Sequence, residues 1–280
     1  MKLKITTPIV SVTWLHENIN AENLIIFDAT IPKVGISISE SLEKKQIIGA
    51  RFFDIKKGFS LQNSQYPNTI LSSNDFEQRA QNLGVNKDTC IVVYDDHGIY
   101  SAPRVWWLFK TFGFTNIAVL DGGFPEWNRN GLPVENPAKE EYEKGDFIVK
   151  YQSDKISFTD DVLLGIQQEV CITDARSRAR FFAEELEPRE EIRSGHIPNS
   201  FNLPYTELQV DGKMKDSVAL SLIFSRVNLK QNRFIFTCGS GITACILALG
   251  LEISGNSNYS VYDGSWSEWG SRKDLPVKTK

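Results

Sequence analysis

A cysteine stands at the start of a glycine-rich turn, a setting that suits nucleophilic chemistry. The turn is Cys238-Gly239-Ser240-Gly241-Ile242-Thr243, called the cysteine loop below. It follows Phe234–Thr237, a run typical of a buried strand, and precedes Cys245–Leu251, which is rich in good helix formers. Glycines let successive backbone N–H groups point inward, and a helix N-terminus adds unpaired donors and a positive dipole end. We therefore expect the sulfur of Cys238 to be held largely as the nucleophilic thiolate. On the turn alone, a small buried cysteine in an ordinary strand–helix connection is the other interpretation.

Length and composition exclude several classes of protein. The 280 residues suggest about two domains. A formal charge of −4 and a pI near 5.6 argue against a nucleic-acid-binding surface. The four cysteines are scattered without a C-x-x-C pair and only three histidines accompany them, so we expect no zinc site, no disulfide framework and no cofactor.

The N-terminal residues lack the long apolar region of a secretory signal, and no apolar run approaches the length of a membrane span. We expect a soluble, cytoplasmic protein without a membrane partner, in a compartment that keeps thiols reduced.

Strand-like and helix-like segments alternate along the chain, and their order occurs twice. The matching pairs of segments are Asp28-Ala29 with Asp174-Ala175, Asp121-Gly122 with Asp263-Gly264, and Leu132-Pro133-Val134 with Leu275-Pro276-Val277, which lie 146, 142 and 143 positions apart. A nearly constant offset predicts a duplicated α/β domain, each copy a mostly parallel sheet flanked by helices. We place the domains at 1–135 and 157–280, with a charged linker over 136–156.

The repeat also predicts which copy carries the chemistry. At an offset of 143, Cys238 falls on Asp95, so the first copy has no thiol at the corresponding turn. A carboxylate at a cluster of inward-pointing N–H groups makes a satisfied structural turn. We expect the second copy to be catalytic and the first to be scaffold.

The chain resembles the tandem-domain rhodanese family, the sulfurtransferases, over essentially its full length. The cysteine loop is similar to the pattern of the branch that uses 3-mercaptopyruvate, whereas the thiosulfate-using branch carries Arg-Lys where this chain has Gly239-Ser240. Further segments that match the family are Ser194–Ser200, Tyr100–Trp107 and Glu187–Arg189. The resemblance implies two rhodanese-like domains and a two-step sulfur transfer.

The implied mechanism begins with attack of the Cys238 thiolate on the donor sulfur. Pyruvate leaves, and a persulfide remains on Cys238 until a thiol, a thioredoxin or cyanide accepts the outer sulfur. The backbone of the cysteine loop, including Gly239, Gly241, Ile242 and Thr243, would stabilise the anions. Ser240 would donate a hydrogen bond to the sulfur or polarise the donor thiol.

Two arginines match the family residues that hold the donor's carboxylate and carbonyl groups. They are Arg180 and Arg189, identified by their neighbours Phe181 and Pro188. The planar guanidinium fork suits a carboxylate. Spacing alone favours a different interpretation, surface ion pairs with the nearby glutamates, which are Glu184, Glu185, Glu187, Glu190 and Glu191.

Three other functions compete with transfer from 3-mercaptopyruvate. Thiosulfate as donor is the nearest, but a dianion calls for cationic side chains that Gly239 and Ser240 do not supply. A persulfide carrier or redox-sensing module without turnover needs the same loop, and release of pyruvate would distinguish the enzyme from it. A phosphatase or arsenate reductase needs an arginine at the end of the loop, where this chain has Ala244.

The chain departs from the family pattern at four positions. Lys56 and Asn68 stand where many relatives have the aspartate and histidine proposed to work with the loop serine. Gln46 replaces a histidine of the first domain, and Ala183 replaces a glycine three residues after Arg180. These changes leave persulfide formation intact and put the proton relay in doubt.

Overall fold

The computed structural model describes residues 2–33, 44–138, 141–168, 170–227 and 233–280. The chain divides into two compact units, Met1–Ser60 with Leu71–Tyr151 and Asp211–Met214, and Leu61–Ile70 with Gln152–Val210 and Lys215–Lys280. Each unit therefore includes a short segment that comes from the other half of the sequence.

The strands, in chain order, are β1 (Ile9–Val10), β2 (Leu24–Asp28), β3 (Gln46–Ile47), β4 (Ala50–Phe52), β5 (Cys90–Tyr94), β6 (Ile117–Leu120), β7 (Val134–Glu135), β8 (Ile156–Ser157), β9 (Cys171–Asp174), β10 (Phe201–Asn202), β11 (Gln209–Val210), β12 (Lys213–Met214), β13 (Phe234–Thr237) and β14 (Tyr259–Tyr262). The helices are α1 (Val12–Glu17), α2 (Ser73–Asn82), α3 (Ala102–Thr111), α4 (Gly123–Arg129), α5 (Thr159–Gln167), α6 (Arg178–Phe181), α7 (Ser217–Val227), α8 (Ala244–Ile253) and α9 (Ser265–Trp269), with 3-10 turns at Ser153–Lys155 and Tyr205–Leu208.

In the described residues the main sheet of each unit has the same order of strands. The first unit has β1-β6-β5-β2-β4 and the second has β8-β14-β13-β9-β10, and all neighbours are parallel. The first strand of each half lies at one edge, and the strand before the key turn lies in the centre. The predicted duplication of a parallel α/β plan is confirmed.

The central strands are mostly apolar and wholly buried because helices cover both faces of a parallel sheet. Every residue of β5 and of β13 is buried. In the first unit the α3 tryptophans Trp106 and Trp107 are fully buried. In the second unit α8 is buried from Ala244 to Leu251, which fixes the start of this helix against the end of β13.

Helix α2 begins at Ser73 and is capped by Ser72, whose side chain accepts a hydrogen bond from the Asp75 N–H. A serine oxygen at this position satisfies one of the backbone donors that the first turn of a helix leaves unpaired. Phe76 of this helix is fully buried.

Much of the segment predicted as a linker lies against the first unit. The Gly145 N–H donates to the Gln81 carbonyl at 2.8 Å, and the Phe147 N–H donates to the Val85 carbonyl at 3.1 Å. Phe147 itself is 2% exposed. The predicted domain limits stay a prediction. Among the described residues, no helix is both long and apolar enough to cross a membrane.

Candidate active site

The cysteine loop is held between the ends of two neighbouring strands. It follows β13, which pairs with β9 on one side and β14 on the other. Beyond β9, the Ala175 N–H donates to the Thr237 carbonyl, and beyond β14 the Trp266 N–H donates to the Cys238 carbonyl, both at 2.9 Å. The carboxyl ends of parallel strands are the usual place for a ligand site in an open α/β sheet.

The backbone of the cysteine loop presents hydrogen-bond donors. Gly241 has φ +78°, a left-handed conformation that favours glycine. The N–H groups of Gly239, Ser240, Ile242 and Thr243 donate to no acceptor within the described part of the chain. The loop is therefore a set of free donors at the N-terminus of α8, an arrangement that favours an anion. Cys238 itself is buried, 1% exposed.

The first copy shows what such a turn does with a negative charge. Asp95, at the position of Cys238, is fully buried. Its Oδ2 accepts the N–H groups of Tyr100, Ser101 and Ala102 at 2.8, 2.8 and 2.9 Å, and its Oδ1 accepts the His97 N–H at 2.9 Å. Four backbone donors thus satisfy one carboxylate.

Arg180 lies over the cysteine loop at the end of a buried chain of charges. Its guanidinium pairs with Glu187, which also binds Arg176 Nη1 at 2.7 Å, and Arg176 in turn pairs with Asp174 at 2.7 Å. Burial disfavours the charge on Arg176, but Asp174 and Glu187 outweigh it and raise the pKa of the guanidinium. The spacing of the sequence favoured surface ion pairs for Arg180. Its partner is instead a single buried glutamate, Glu187, in a network of four charged side chains.

Because residue 239 is a glycine, there is room for the Arg180 guanidinium next to the loop backbone. A Cβ atom on Gly239 would lie 3.1 Å from Arg180 Nη2, a tight contact that the guanidinium would have to relieve by a small shift.

Arg189 reaches the same loop through a serine. Its Nη1 donates to Ser267 Oγ, and that hydroxyl donates to the Gly239 carbonyl at 2.6 Å. Arg189 forms no ion pair with any carboxylate in the described ranges. A cavity of about 630 Å³ opens beside it, lined also by Ser64, Ser267 and two glutamates, Glu190 and Glu191. A guanidinium that forms no ion pair of its own at a cavity mouth suits a carboxylate ligand.

Comparison with known proteins identifies the family. The rhodanese-like domain family matches residues 11–130 and 159–272. This chain belongs to the rhodanese family.

Several relatives are similar to this chain along nearly all of their length. It is 38% identical to the 3-mercaptopyruvate sulfurtransferase of Escherichia coli K12, over 98% of each chain. It is 35% identical to the human 3-mercaptopyruvate sulfurtransferase, over 93% of this chain and 91% of the relative, and 35% identical to the rat thiosulfate sulfurtransferase, over 97% and 94%. The crystal structure of the E. coli 3-mercaptopyruvate sulfotransferase, at 35% identity, has a TM-score of 0.82 and covers 93% of this chain and 99% of that one. The sulfur transferase subunit of yeast mitochondrial complex I, at 32% identity, has a TM-score of 0.85 with 98% of each chain covered.

Three of the family positions that are substituted or kept in this chain have clear structural roles. Gln46 donates to the Ala50 carbonyl at 2.9 Å, whereas His196 of the second copy stacks on Phe181 with ring centroids 3.9 Å apart. Burial lowers the pKa of His196, which keeps it a neutral structural side chain. Ala183 has φ +60°, which explains why glycine suits this position.

The loop serine contacts one of the two substituted relay positions. Asn68, on the segment that joins the second unit, donates from Nδ2 to the Ser240 carbonyl at 2.9 Å and to Ser240 Oγ at 3.2 Å. Lys56 belongs to the first unit.

The sequence analysis did not predict three contacts: that of Ser267 with Arg189, that of Glu187 with Arg180, and that of Asn68 with Ser240. The repeat could have drawn attention to Ser267, because it corresponds to Pro125 at the offset of 142 and therefore differs between the two copies. The role of Glu187 depends on burial beside Arg176, which no local pattern reveals.

The remaining cysteines of the chain are core residues. Burial raises the pKa of Cys90 to about 11 and also raises that of Cys171, so neither is a ready nucleophile. Cys245 is buried and its Sγ contacts the Gly241 carbonyl at 3.3 Å. Nowhere in the described residues do three His, Cys, Asp or Glu side chains gather as a metal site would require.

Proposed function

We propose that this protein is a sulfurtransferase that moves sulfur from 3-mercaptopyruvate to a thiol acceptor through a persulfide on Cys238, with release of pyruvate. The observation that carries the proposal is the matched pair of turns. Asp95 in the first copy is held by four backbone donors, and the cysteine loop offers free donors at the same place in the second copy.

The geometry of a carboxylate explains why that comparison matters. An aspartate oxygen lies two bonds beyond Cβ, and so does the outer sulfur of a cysteine persulfide. Backbone donors bind Oδ2 in the first copy, and the free backbone donors of the cysteine loop can bind the outer sulfur in the second. On this basis the first domain, 1–135, is scaffold and the second, 157–280, is catalytic.

The donor's carboxylate would bind Arg189, because that guanidinium has no carboxylate partner in the described ranges. Arg180, whose charge is shared with Glu187, would contact the carbonyl side of the donor. Gly239 supports this choice of donor. A side chain at position 239 would crowd the Arg180 guanidinium, so a cationic side chain in the loop and Arg180 would compete for the space over the cysteine.

The chemical step balances without a proton from the protein. The Cys238 thiolate attacks the donor sulfur, an S–S bond forms, the C–S bond breaks, and its electron pair stays on carbon as the enolate. The donor's thiol proton then moves to that carbon and completes the methyl group of pyruvate, which leaves a persulfide anion. An acceptor thiol (a small thiol or thioredoxin) or cyanide then takes the outer sulfur and restores the Cys238 thiolate. Ser240 donates a hydrogen bond during this transfer.

The test is kcat/KM with 3-mercaptopyruvate and with thiosulfate on the same preparation, following pyruvate and transferred sulfur. We expect a preference of about tenfold or more for 3-mercaptopyruvate, since Arg189 would bind its carboxylate group and thiosulfate has no such group. A preference for thiosulfate would refute the donor assignment. Sulfur loading without turnover on either donor would mean that the protein is a carrier.

A further inference from the structure

A ten-residue segment from the first half of the sequence completes the surroundings of the cysteine loop. This segment, Leu61–Ile70, is called the arm, and it belongs to the second unit. It is closed on itself, because the Leu61 N–H donates to the Thr69 carbonyl at 2.9 Å and the hydroxyls of Ser64 and Thr69 lie 2.7 Å apart. It is also fixed to the sheet, since the Ile70 N–H donates to Asp263 Oδ2 at 2.9 Å beyond the end of β14.

The arm presents one side chain to the loop serine. Asn68 has φ +60°, a left-handed conformation that asparagine adopts more readily than most residues. The Ser240 carbonyl oxygen, 2.9 Å away, can only accept a hydrogen bond, so the amide group must face it with its nitrogen. The same nitrogen lies 3.2 Å from Ser240 Oγ and donates to it as well.

This orientation determines what the serine hydroxyl can do. With an amide N–H donating to Oγ, the hydroxyl hydrogen points away from Asn68. Within the described part of the chain Ser240 Oγ has no other hydrogen-bond partner, so that hydrogen is available to a ligand. A base at position 68 would instead draw the hydrogen toward itself.

We propose that Asn68 is a positioning residue that holds Ser240 as a one-way hydrogen-bond donor to the reacting sulfur and takes no proton from it. The inference rests on the proposed function. It also explains how the site dispenses with an ionisable relay at this position: the donor's own thiol proton ends on pyruvate, and the serine only stabilises charge.

The experiment compares pyruvate release in a single turnover with 3-mercaptopyruvate for Asn68→Asp, Asn68→Gly, Ser240→Ala and the double variant Asn68→Asp with Ser240→Ala. Aspartate has the same shape but only accepts hydrogen bonds at neutral pH, so it should draw the serine hydrogen away. We expect Asn68→Asp to slow release about as much as Ser240→Ala, roughly 10- to 100-fold. Glycine removes the amide without strain at this backbone conformation and should cost less.

The matched control is Asn199→Asp, which makes the same change at another left-handed asparagine, φ +61°, in the second unit. It should release pyruvate at the wild-type rate. The double variant separates positioning from packing. In a Ser240→Ala background, Asn68→Asp should slow pyruvate release by at most about a third of the factor that it causes in the wild-type background.

The pH dependence of the single-turnover rate is a second measurement, and a purely packing role of residue 68 would not change it. Asn68→His should introduce an inflection near pH 6.5, the ordinary histidine pKa, that the wild-type rate lacks. Wild-type rates from Asn68→Asp, or equal costs of that change with and without the Ser240 hydroxyl, would overturn the inference. Failure of the wild-type protein to release pyruvate would instead refute the proposed function.

Discussion

At the scale of single residues, two arginines near the cysteine loop differ in what balances their charge. Arg180 pairs with Glu187, whose side chain is 3% exposed. Arg189 has a neutral partner, the Ser267 hydroxyl, and an exposed position beside the cavity. The net attraction for a donor carboxylate should therefore come mainly from Arg189.

Arg189→Ala should raise KM for 3-mercaptopyruvate about 10- to 100-fold and change kcat less, because a hydrogen bond to a charged group contributes about 1.5–3 kcal/mol. Arg189→Lys should restore only part of the loss, since an ammonium lacks the planar fork. Steady-state kinetics measure both. The matched control is Arg178→Ala, because Arg178 is exposed nearby and packs on Phe182 rather than on the loop. An unchanged KM in Arg189→Ala would contradict the assignment.

The sequence indicated the chemistry at this scale but not the partners. Cys238 and the loop glycines are recognisable because they are contiguous and follow a clear strand signal. The pairing of Arg180 with Glu187 could not be foreseen among five glutamates, since only burial beside Arg176 singles one out.

At the scale of elements, the short helix α6 carries Arg180 and is followed by a strained turn. Its cap Ser177 accepts from the Arg180 N–H at 3.3 Å. Just after the helix, Ala183 adopts φ +60°, which costs a residue with a Cβ about 1–2 kcal/mol.

Ala183→Gly should therefore raise the free energy of unfolding by about 1 kcal/mol, because the relief of strain exceeds the entropic cost of folding that a glycine adds. Urea denaturation measures this free energy. Ala179→Gly, inside α6 where φ is helical, should lower stability instead. A loss of stability in Ala183→Gly would show that the turn is not strained.

Local signals predicted the elements well and the packing of distant segments poorly. The run Phe234–Thr237 matches β13 at both ends, because its β-branched and aromatic residues are bounded by the loop. The arm looks like an irregular loop in sequence. Its place in the second unit depends on hydrogen bonds such as Ile70 to Asp263, which span 193 positions.

At the scale of the whole molecule, the two copies have diverged into one with a thiol and one with carboxylates. Next to Asp95, the carboxyl of Asp96 has a buried Oδ1 without a hydrogen-bond partner in the described residues. Burial and the nearby charge of Asp28 raise the pKa of Asp96 to about 6, although Lys44 opposes them.

Asp96→Asn should stabilise the protein at pH 8, and the gain should shrink as the pH falls through 6 and disappear below about 4. The sign follows because a raised folded-state pKa means that ionisation of Asp96 destabilises the native protein above pH 6. Unfolding free energies across this range test it, and turnover should be unchanged. Asp88→Asn should behave oppositely, since the hydrogen bond from Lys2 lowers the pKa of Asp88. Equal stability of Asp96→Asn and wild type at pH 8 would contradict the prediction.

The central claim is that sulfur passes through Cys238, and the most direct measurement is the mass of the protein after one equivalent of 3-mercaptopyruvate in the absence of acceptor. We predict one added sulfur atom per chain, located on the peptide that contains Cys238, with an equal amount of pyruvate released. Cys238→Ser should gain no sulfur and release no pyruvate, whereas Cys245→Ser should still load. Sulfur on another cysteine, or pyruvate release by Cys238→Ser, would contradict the account.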